Sequence, residues 1–322
     1  MMISEEMVKQ LSSPILVVGD SGLDKYTYGN VSRISPEAPV AIVEVHKEWH
    51  KLGLAANVND NLRELGAAST LLTVVGNDRS GDLFASIIKE RGLTLDGIVV
   101  DKSRLTTLKE RVTTKTQQIC RIDYESKEAL SPSIEEELCR RAQNFAQNHA
   151  GVILEDYGKG LVTEKLAQTL ITVATASKKI ITVDPSRHTP PHFYRGATLI
   201  KPNFDEAHLI MAALGYKQER QLQTMAEIIS EKLNIEKVVI TLGADGMAIF
   251  DRTCGHFSII PTVAKEVFDV SGAGDTAISV LTLALILGSS LEDGVWIANA
   301  AAGIVVGKRG TATVSWPELL PH

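Results

Sequence analysis

The residues from Asp269 to Asp275 read DVSGAGD, and an apolar stretch with helical spacing, Thr276–Leu287, follows directly. Glycines just before a helix let backbone N–H groups approach a ligand, and the positive helix end favours an anion there. The same helix end should keep the neighbouring carboxylate of Asp275 ionised. An anion cradle beside an ionised carboxylate is what phosphoryl transfer to a hydroxyl needs. A glycine turn with Asp275 as a capping residue explains the pattern equally well.

A second polar cluster follows Pro202 and consists of Asn203, Phe204, Asp205 and Glu206. If a helix starts here, Asn203 and Glu206 can point together, which suits a hydrated Mg²⁺ or a phosphate. Helix capping, with Asn at the cap and Glu three residues later, is the simpler explanation when the cluster is taken alone.

Other polar positions also follow predicted strands. Thr241–Gly246 ends a strand with two glycines, which is consistent with the edge of a nucleotide site or with an ordinary turn. Asp20 and Asp24 follow the predicted strand Ile15–Gly19, and Gly53–Asn57 opens a helix. Such Asp and Asn side chains can bind sugar hydroxyls, although caps and Asx turns are their more common role.

Basic side chains concentrate in the segment 104–124. A solvated strand face would explain them, and a clamp for a substrate phosphate is the alternative, because Arg binds phosphate bidentately. The residues concerned are Lys109, Arg111, Lys115 and Arg121, together with Arg33.

The elements that must position these residues alternate along the chain. Buried strands and amphipathic helices in alternation favour a doubly wound α/β fold, with a mostly parallel sheet and helices on both faces. Ligands of such folds lie beyond the carboxyl ends of the strands. The predicted strands are 15–19, 69–75, 151–154, 180–183, 199–201 and 237–242, and the predicted helices are 55–65, 80–91, 134–148, 163–177, 205–214 and 222–233.

Two stretches break this alternation. Val40–Val45 and Thr106–Asp123 show strand-like alternation without an intervening helix, and the second could form a hairpin that turns near Thr113–Thr116. We expect a small antiparallel β lid over the parallel sheet, with lid segments at about 31–50 and 104–124. Since no repeat or flexible linker is visible, residues 1–322 are predicted to be one domain that carries this lid.

Composition narrows the function classes. Hydrophobic residues make up 44% of the chain and charged residues 22%, an ordinary globular composition that excludes a disordered chain. The 322 residues include 33 Lys+Arg and 39 Asp+Glu, and this net charge of −6 argues against a nucleic-acid-binding protein. The longest apolar stretch, Ala277–Leu287, is too short to cross a membrane, and no signal peptide is visible. Three cysteines without metal-ligand spacing fit a reducing compartment, so a cytoplasmic protein is expected.

Taken together, these segments resemble the PfkB (ribokinase-like) family of carbohydrate kinases. Its signature motifs occur here in the family's order, and the resemblance spans about residues 14–317. The matching segments are Gly53–Asn57, Asn203–Glu206 and Gly272–Asp275. The resemblance implies an enzyme that transfers a phosphoryl group from ATP, with Mg²⁺, to a sugar hydroxyl, and it leaves a requirement for a monovalent cation open.

The resemblance also implies a role for each matching residue. Asp275 would take the proton from the sugar hydroxyl, and Gly272, Ala273 and Gly274 would supply the anion hole. The segment Asn203, Phe204, Asp205 and Glu206 would organise Mg²⁺ and the triphosphate, with Glu206 reaching the metal through water. Thr241, Gly243, Gly246 and Asn299 would line the nucleotide site, and Asp24 and Asn57 would bind the sugar hydroxyls. The sugar phosphate would be bound by Arg33, Lys109, Arg111 and Arg121.

Within the family, longer runs resemble the kinases that phosphorylate D-glycero-β-D-manno-heptose 7-phosphate at its anomeric hydroxyl. The runs are Gly19-Asp20, Leu23-Asp24, Ser32–Val40, Gln117-Gln118 with Arg121 and Asp123, Asp156–Gly160, Tyr194–Leu199 and Asn299–Gly307. The implied product is the 1,7-bisphosphate, a precursor of ADP-heptose for lipopolysaccharide. In this family the lid often makes a homodimer contact. The heptose enzyme is often fused to an adenylyltransferase, which is expected here to be a separate protein because the chain ends at His322.

Two departures leave the exact sugar and anomer open. Leu54 stands where the family has a second glycine, and Ser186-Arg187-His188 follows Asp184-Pro185 where Lys-Gly is usual. A PfkB kinase for another sugar, sugar phosphate or nucleoside is the alternative, and a non-catalytic nucleotide-sensing protein is an alternative of a different class.

Overall fold

A computed structural model describes residues 3–263, 267–308 and 310–319. The strands are β1 Ile15–Gly19, β2 Ser21–Ile34, β3 Ala41–Leu54, β4 Ser69–Gly76, β5 Ile98–Asp101, β6 Thr107–Thr113, β7 Gln118–Tyr124, β8 Gly151–Glu155, β9 Ile180–Asp184, β10 Leu199–Ile200, β11 Lys237–Thr241, β12 Met247–Asp251 and β13 His256–Ile260. The helices are α1 Glu5–Lys9, α2 Ala55–Glu64, α3 Arg79–Glu90, α4 Pro132–Asn148, α5 Glu164–Ala176, α6 Phe204–Ala213, α7 Leu222–Leu233, α8 Ala273–Ile286, α9 Leu291–Val305 and α10 Trp316–Leu319. The six strands predicted for the parallel sheet and the six predicted helices are therefore confirmed, with boundaries that differ by at most two residues. The apolar helix expected from Thr276 begins three residues earlier, at Ala273.

Nine strands form the central sheet, in the order β13-β12-β11-β10-β9-β8-β1-β4-β5. The pairings from β11 to β5 are parallel, and β12 and β13 extend the sheet as antiparallel edge strands. Alternate residues of β1 enter different cores: Ile15 and Val17 pack with α2, α8 and α9, whereas Leu16 and Val18 pack with α4 to α7. Helices thus cover both faces of the sheet, as the doubly wound prediction requires.

The lid is a four-stranded sheet in the order β3-β2-β6-β7. Two of its pairings are antiparallel, including the predicted β6–β7 hairpin, while the central β2–β6 pairing is parallel. The first lid segment begins at Ser21, earlier than the expected position near residue 31. The base of β2 is buried on both faces, so its sequence lacks the alternation that identifies a half-buried strand.

Two further expectations concern the chain as a whole. No helix in the described part of the chain combines the length and the apolar character that crossing a bilayer requires. The single-domain prediction for 1–322 stays a prediction, and residues 1–2, 264–266, 309 and 320–322 lie outside the described residues.

A buried asparagine in α2 yields a prediction about stability. Asn59 is fully buried, and neither its Oδ1 nor its Nδ2 has a hydrogen-bond partner among the described residues. An unsatisfied buried polar group costs about 1–3 kcal/mol, and alanine is the better helix former. We expect Asn59→Ala to raise the free energy of unfolding by about 1 kcal/mol, measured by urea denaturation.

The control for this substitution is Asn61, two residues further along the same helix. Asn61 is equally buried, but its Nδ2 donates to the carbonyl of Asn57 at 2.9 Å and its Oδ1 accepts from Thr276 Oγ1 at 3.0 Å. Asn61→Ala should lower the free energy of unfolding, because it leaves those groups unpaired. Equal destabilisation by the two substitutions would show that Asn59 has a partner.

Candidate active site

The carboxyl ends of the central parallel strands open onto a cavity of about 590 Å³ beside the first turn of α8. The end of a strand or helix places each of these side chains at the cavity wall: β8 ends at Glu155, β9 ends at Asp184, and α8 begins just before Asp275. The polar side chains that line the cavity are Glu155, Asp184, Lys201, Asn203, Glu206 and Asp275.

Asp275 is a buried carboxylate whose two oxygens both accept hydrogen bonds. The hydroxyl of Tyr157 donates to Oδ1 at 2.6 Å, and Nδ2 of Asn57 donates to Oδ2 at 2.7 Å. Burial raises the pKa of Asp275 above its ordinary value, and these two hydrogen bonds act in the opposite direction. The result is a buried carboxylate held in one orientation at the cavity wall.

The glycine turn before α8 is closely packed on one side and open on the other. Gly272 has φ +83°, and a Cβ there would lie 2.9 Å from Nδ2 of Asn57 and 3.1 Å from Cγ2 of Thr311. A Cβ on Gly274 would meet nothing closer than Nζ of Lys201, at 3.6 Å, and would enter the cavity. The amide of Ala273 donates back to the carbonyl of Val270, so the predicted anion hole depends mainly on the residues that flank Ala273.

The Asn203–Glu206 segment forms a complete capping box at the start of α6. Oδ1 of Asn203 accepts from the amide of Glu206, and Oε2 of Glu206 accepts from the amide of Asn203, both at 2.9 Å. Phe204 and Asp205 line the cavity together with the capping pair. Asn203 and Glu206 therefore cap the helix and line the cavity at the same time, because the cap fixes both side chains at the cavity wall.

The carboxylates of the cavity are suited to a hydrated Mg²⁺. Oε2 of Glu155 is buried without a hydrogen-bond partner among the described residues, and Asp184 forms an ion pair with Lys201 at 2.7 Å. Burial, together with the charges of Asp184 and Asp275, raises the pKa of Glu155 well above its ordinary value, and burial also raises that of Glu206. No three Asp, Glu, His or Cys side chains of the described residues form a metal site alone. Mg²⁺ is commonly held by one or two carboxylates, waters and substrate phosphates, so the donor set fits it.

A mostly apolar cleft of about 370 Å³ adjoins this cavity between β12 and helices α8 and α9. All four residues predicted for the nucleotide lie in its wall: Thr241, Gly243, Gly246 and Asn299. The cleft and the cavity share Thr241, Gly243 and Gly274, so a bound nucleotide could extend its phosphates towards Asp275. Nδ2 of Asn299 donates to the carbonyl of Pro261 at 2.6 Å, which fixes the chain after β13 against α9.

The inner face of the lid carries three of the six predicted sugar-site residues, namely Asp24, Lys109 and Arg111. Across the strands, Asp24 on β2 lies opposite Lys109 on β6, and Asp24 also forms an ion pair with Arg111. Oδ2 of Asp24 accepts from Oγ1 of Thr311 at 2.9 Å. Nζ of Lys109 lies 5.7 Å from the centre of the Tyr157 ring, so Lys109 and Asp275 contact opposite parts of one side chain.

Two of the predicted phosphate ligands lie outside this group. Arg33 is exposed at the far end of β2, roughly 30 Å along the strand from Asp24, and this chain does not bring it to the cavity. Arg121 lies opposite Arg111 on β7, but it is 52% exposed and pairs with Asp123 at 2.9 Å. Of the four predicted phosphate ligands, Lys109 and Arg111 lie beside Asp24 on the inner face of the lid.

Sequence reasoning assigned no role to several side chains of the site. Glu155, Tyr157 and Asp184 each lie at or just after the carboxyl end of a parallel strand, so the rule that identified Thr241 could have found them. Thr311 had no such signal, because its contact with Asp24 depends on how the end of the chain packs.

With this geometry established, comparison with known proteins identifies the class. The model of the pfkB family of carbohydrate kinases matches residues 21–319. The chain therefore belongs to this family of phosphotransferases, whose acceptor is a sugar hydroxyl.

Among individual proteins, the chain is similar to two that carry the name bifunctional protein HldE. The protein of Desulfatibacillum aliphaticivorans is 44% identical over 308 residues, and that of Helicobacter pylori strain J99 is 42% identical over 305 residues. The matches cover 96% and 95% of this chain but 62% and 65% of those proteins, so the chain spans less than two thirds of their length.

Solved structures show the same fold. Escherichia coli phosphofructokinase-2 in complex with potassium aligns with a TM-score of 0.78 at 21% identity, over 95% of this chain and 97% of that one. Arabidopsis thaliana ribokinase complexed with ribose and ATP aligns with a TM-score of 0.71 at 19% identity, over 96% of each chain. The prediction of a ribokinase-like α/β fold is confirmed.

Proposed function

We propose that the chain transfers the terminal phosphoryl group of ATP to the anomeric hydroxyl of D-glycero-β-D-manno-heptose 7-phosphate, giving the 1,7-bisphosphate for the ADP-heptose pathway of lipopolysaccharide. The observation that carries the proposal is the position of Asp275, a buried carboxylate between an apolar cleft and a lid whose inner face presents Lys109 and Arg111. The similarity to two HldE proteins supports the heptose substrate.

In the proposed reaction the sugar lies between the lid and the first turn of α8. Asn57 and Asp24 bind its hydroxyls. Asp275 accepts the proton of the anomeric hydroxyl as the hydroxyl oxygen forms its bond to the γ-phosphorus of ATP and the bond from that phosphorus to ADP breaks. The amides that flank Ala273 stabilise charge on the transferred group. Mg²⁺, held through water by Glu206, would neutralise the phosphate charge.

A coupled assay of ADP release over a small panel of acceptors tests the proposal. The panel contains D-glycero-β-D-manno-heptose 7-phosphate, fructose 6-phosphate and ribose, each with ATP and Mg²⁺. We expect the heptose phosphate to give the highest kcat/KM, with product phosphorylated at the anomeric position. A higher kcat/KM for another acceptor would overturn the heptose assignment while leaving the kinase class intact, and ATP binding without any product would favour a nucleotide sensor.

The lid gives a sharper test of the sugar-phosphate class. Lys109 is partly buried on the inner face, and burial lowers its pKa, so a bound phosphate would favour its charged form. Lys109→Met should raise the KM for the sugar phosphate by about 10- to 100-fold and change kcat little, because the lost contact is to a part of the substrate that does not react.

The exposed Lys102, outside the lid strands, serves as the matched control, and Lys102→Met should leave KM unchanged. Equal KM values for Lys109→Met and the unaltered protein would remove Lys109 as a phosphate ligand.

Leu54, where β3 joins α2, supports a second candidate acceptor, a different sugar. Leu54 is buried and has φ +61°, a conformation that favours glycine, and it follows Gly53, whose Cβ position is 3.0 Å from Oδ2 of Asp24. A leucine here alters the wall beside a predicted sugar ligand. A PfkB kinase for another sugar is therefore the second candidate function, and the acceptor panel distinguishes it from the heptose kinase.

The remaining implications of the resemblance stay predictions. A homodimer through the lid is consistent with exposed apolar side chains on β2, on β3 and in the turn between them, namely Ile34, Val40 and Val45. A cytoplasmic location rests on the sequence arguments given above, and the requirement for a monovalent cation stays open.

A further inference from the structure

Tyr157 is a cavity residue to which neither the signature motifs nor the proposed reaction assigns a task. It follows β8, and its hydroxyl donates to Oδ1 of Asp275 at 2.6 Å. Burial and the charges of Asp275 and Glu155 raise the pKa of Tyr157 well above its ordinary value, so the hydroxyl stays protonated and acts as the donor. Since Asn57 occupies the other oxygen, the pair fixes the plane of the Asp275 carboxylate.

The backbone around Tyr157 is anchored to the central sheet by a single carboxylate. Oδ2 of Asp20, directly after β1, accepts from the amides of Tyr157 at 3.2 Å and Lys159 at 3.0 Å. Its Oδ1 accepts from the amide of Leu161 at 3.2 Å. The segment 157–161 is thereby held at the carboxyl end of β1, which determines where the Tyr157 ring can lie.

The same segment is attached on its other side to the lid. Nζ of Lys109 lies 5.7 Å from the centre of the Tyr157 ring, within the range of a cation–π contact. Lys159 forms an ion pair with Glu125, just after β7, and both side chains are largely buried. Nη2 of Arg104, three residues before β6, donates to the carbonyl of Lys159 at 3.3 Å and so ties this segment to the connection that leads into the lid.

We propose that Tyr157 is a positioning residue that orients the general base and links it to the lid through Lys109. The inference rests on the proposed function, in which Asp275 is the base and Lys109 contacts the sugar phosphate. Tyr157 contacts both of them through different parts of one side chain, its hydroxyl and its ring face. Docking of the lid on a substrate phosphate and orientation of the base are then coupled by one residue.

Tyr157→Phe tests this role because it removes only the hydroxyl oxygen. We expect kcat to fall by about 10- to 100-fold with KM nearly unchanged, because the lost hydrogen bond is to a charged group that acts in the chemical step. We also expect the acid limb of the kcat–pH profile to move to higher pH, because the ionised form of Asp275 loses a donor. Asp184, Glu155 and Lys201 also face Asp275. These three charged groups are the same in Tyr157→Phe and in the unaltered protein, so they do not account for a difference between the two pH profiles.

Tyr194→Phe is the matched control. The hydroxyl of Tyr194 is also buried and donates to a carboxylate, Oδ2 of Asp156 at 2.8 Å, but it does not contact Asp275. Its loss should lower the free energy of unfolding and leave the acid limb in place. An unchanged limb and unchanged kcat in Tyr157→Phe would overturn the proposal, and so would a purely structural effect like that of Tyr194→Phe.

The coupling to the lid is tested by combining Tyr157→Leu with Lys109→Met. If the ring carries the link, the two substitutions together should raise KM by less than the product of their separate effects. Independent effects would restrict Tyr157 to orienting the base. The two possible failures are distinguishable. Unchanged kcat and an unchanged acid limb in Tyr157→Phe, with Asp275→Asn inactive, would refute this inference alone, whereas an active Asp275→Asn protein would refute the choice of base and this inference with it.

Discussion

Asp275→Asn should lower kcat by about 10²- to 10⁴-fold while both substrates still bind, because the amide cannot accept the hydroxyl proton. The substitution preserves the size of a side chain that is 7% exposed. It also keeps one oxygen for Asn57, and the hydroxyl oxygen of Tyr157 can accept from the new amide. The measurements are coupled ADP release for kcat and calorimetry for the binding of nucleotide and sugar phosphate.

Asp82→Asn provides the control, since Asp82 is an exposed carboxylate in the first turn of α3 and should leave kcat unchanged. The pH profile adds an independent criterion. Burial raises the pKa of Asp275, and the base works only when it is ionised, so kcat should fall as the pH drops through that raised value. Retention of full turnover by Asp275→Asn would exclude Asp275 as the base.

The sequence was most informative where function depends on neighbouring residues. The glycine turn and Asp275 could be predicted because a helix start, two glycines and a carboxylate occur within one short segment. Thr241, Gly243 and Gly246 could be predicted because parallel strands place their carboxyl ends together. In both cases a local pattern and a general rule for the fold sufficed.

The sequence was less informative where function depends on pairing between distant segments. Alternation identified lid strands, but the register that brings Lys109 beside Asp24 and leaves Arg33 remote cannot be read from either strand alone. The contact between Tyr157 and Asp275 joins segments 118 positions apart, and that between Asp24 and Thr311 joins segments 287 apart. The packing of α8 brings Asp275 to Tyr157, and the packing of the last described segment brings Thr311 to Asp24.

The two glycines before Asp275 should respond differently to the same added methyl group. In Gly272→Ala, the residue must hold φ +83°, which costs about 1–2 kcal/mol, and its Cβ would displace Asn57 and Thr311. Asn57 holds Oδ2 of Asp275, so kcat should fall by about 100-fold together with a loss of stability.

In Gly274→Ala, the Cβ has room, since the nearest atom is 3.6 Å away, and alanine is the better helix former. Its methyl group would enter the cavity beside Lys201 and Asp184, where the proposed reaction places the transferred phosphoryl group. We expect kcat to fall by about 100-fold without loss of stability, as measured by ADP release and urea denaturation. Normal turnover in Gly274→Ala would place phosphoryl transfer outside this cavity, because only there does the added methyl group obstruct the reaction.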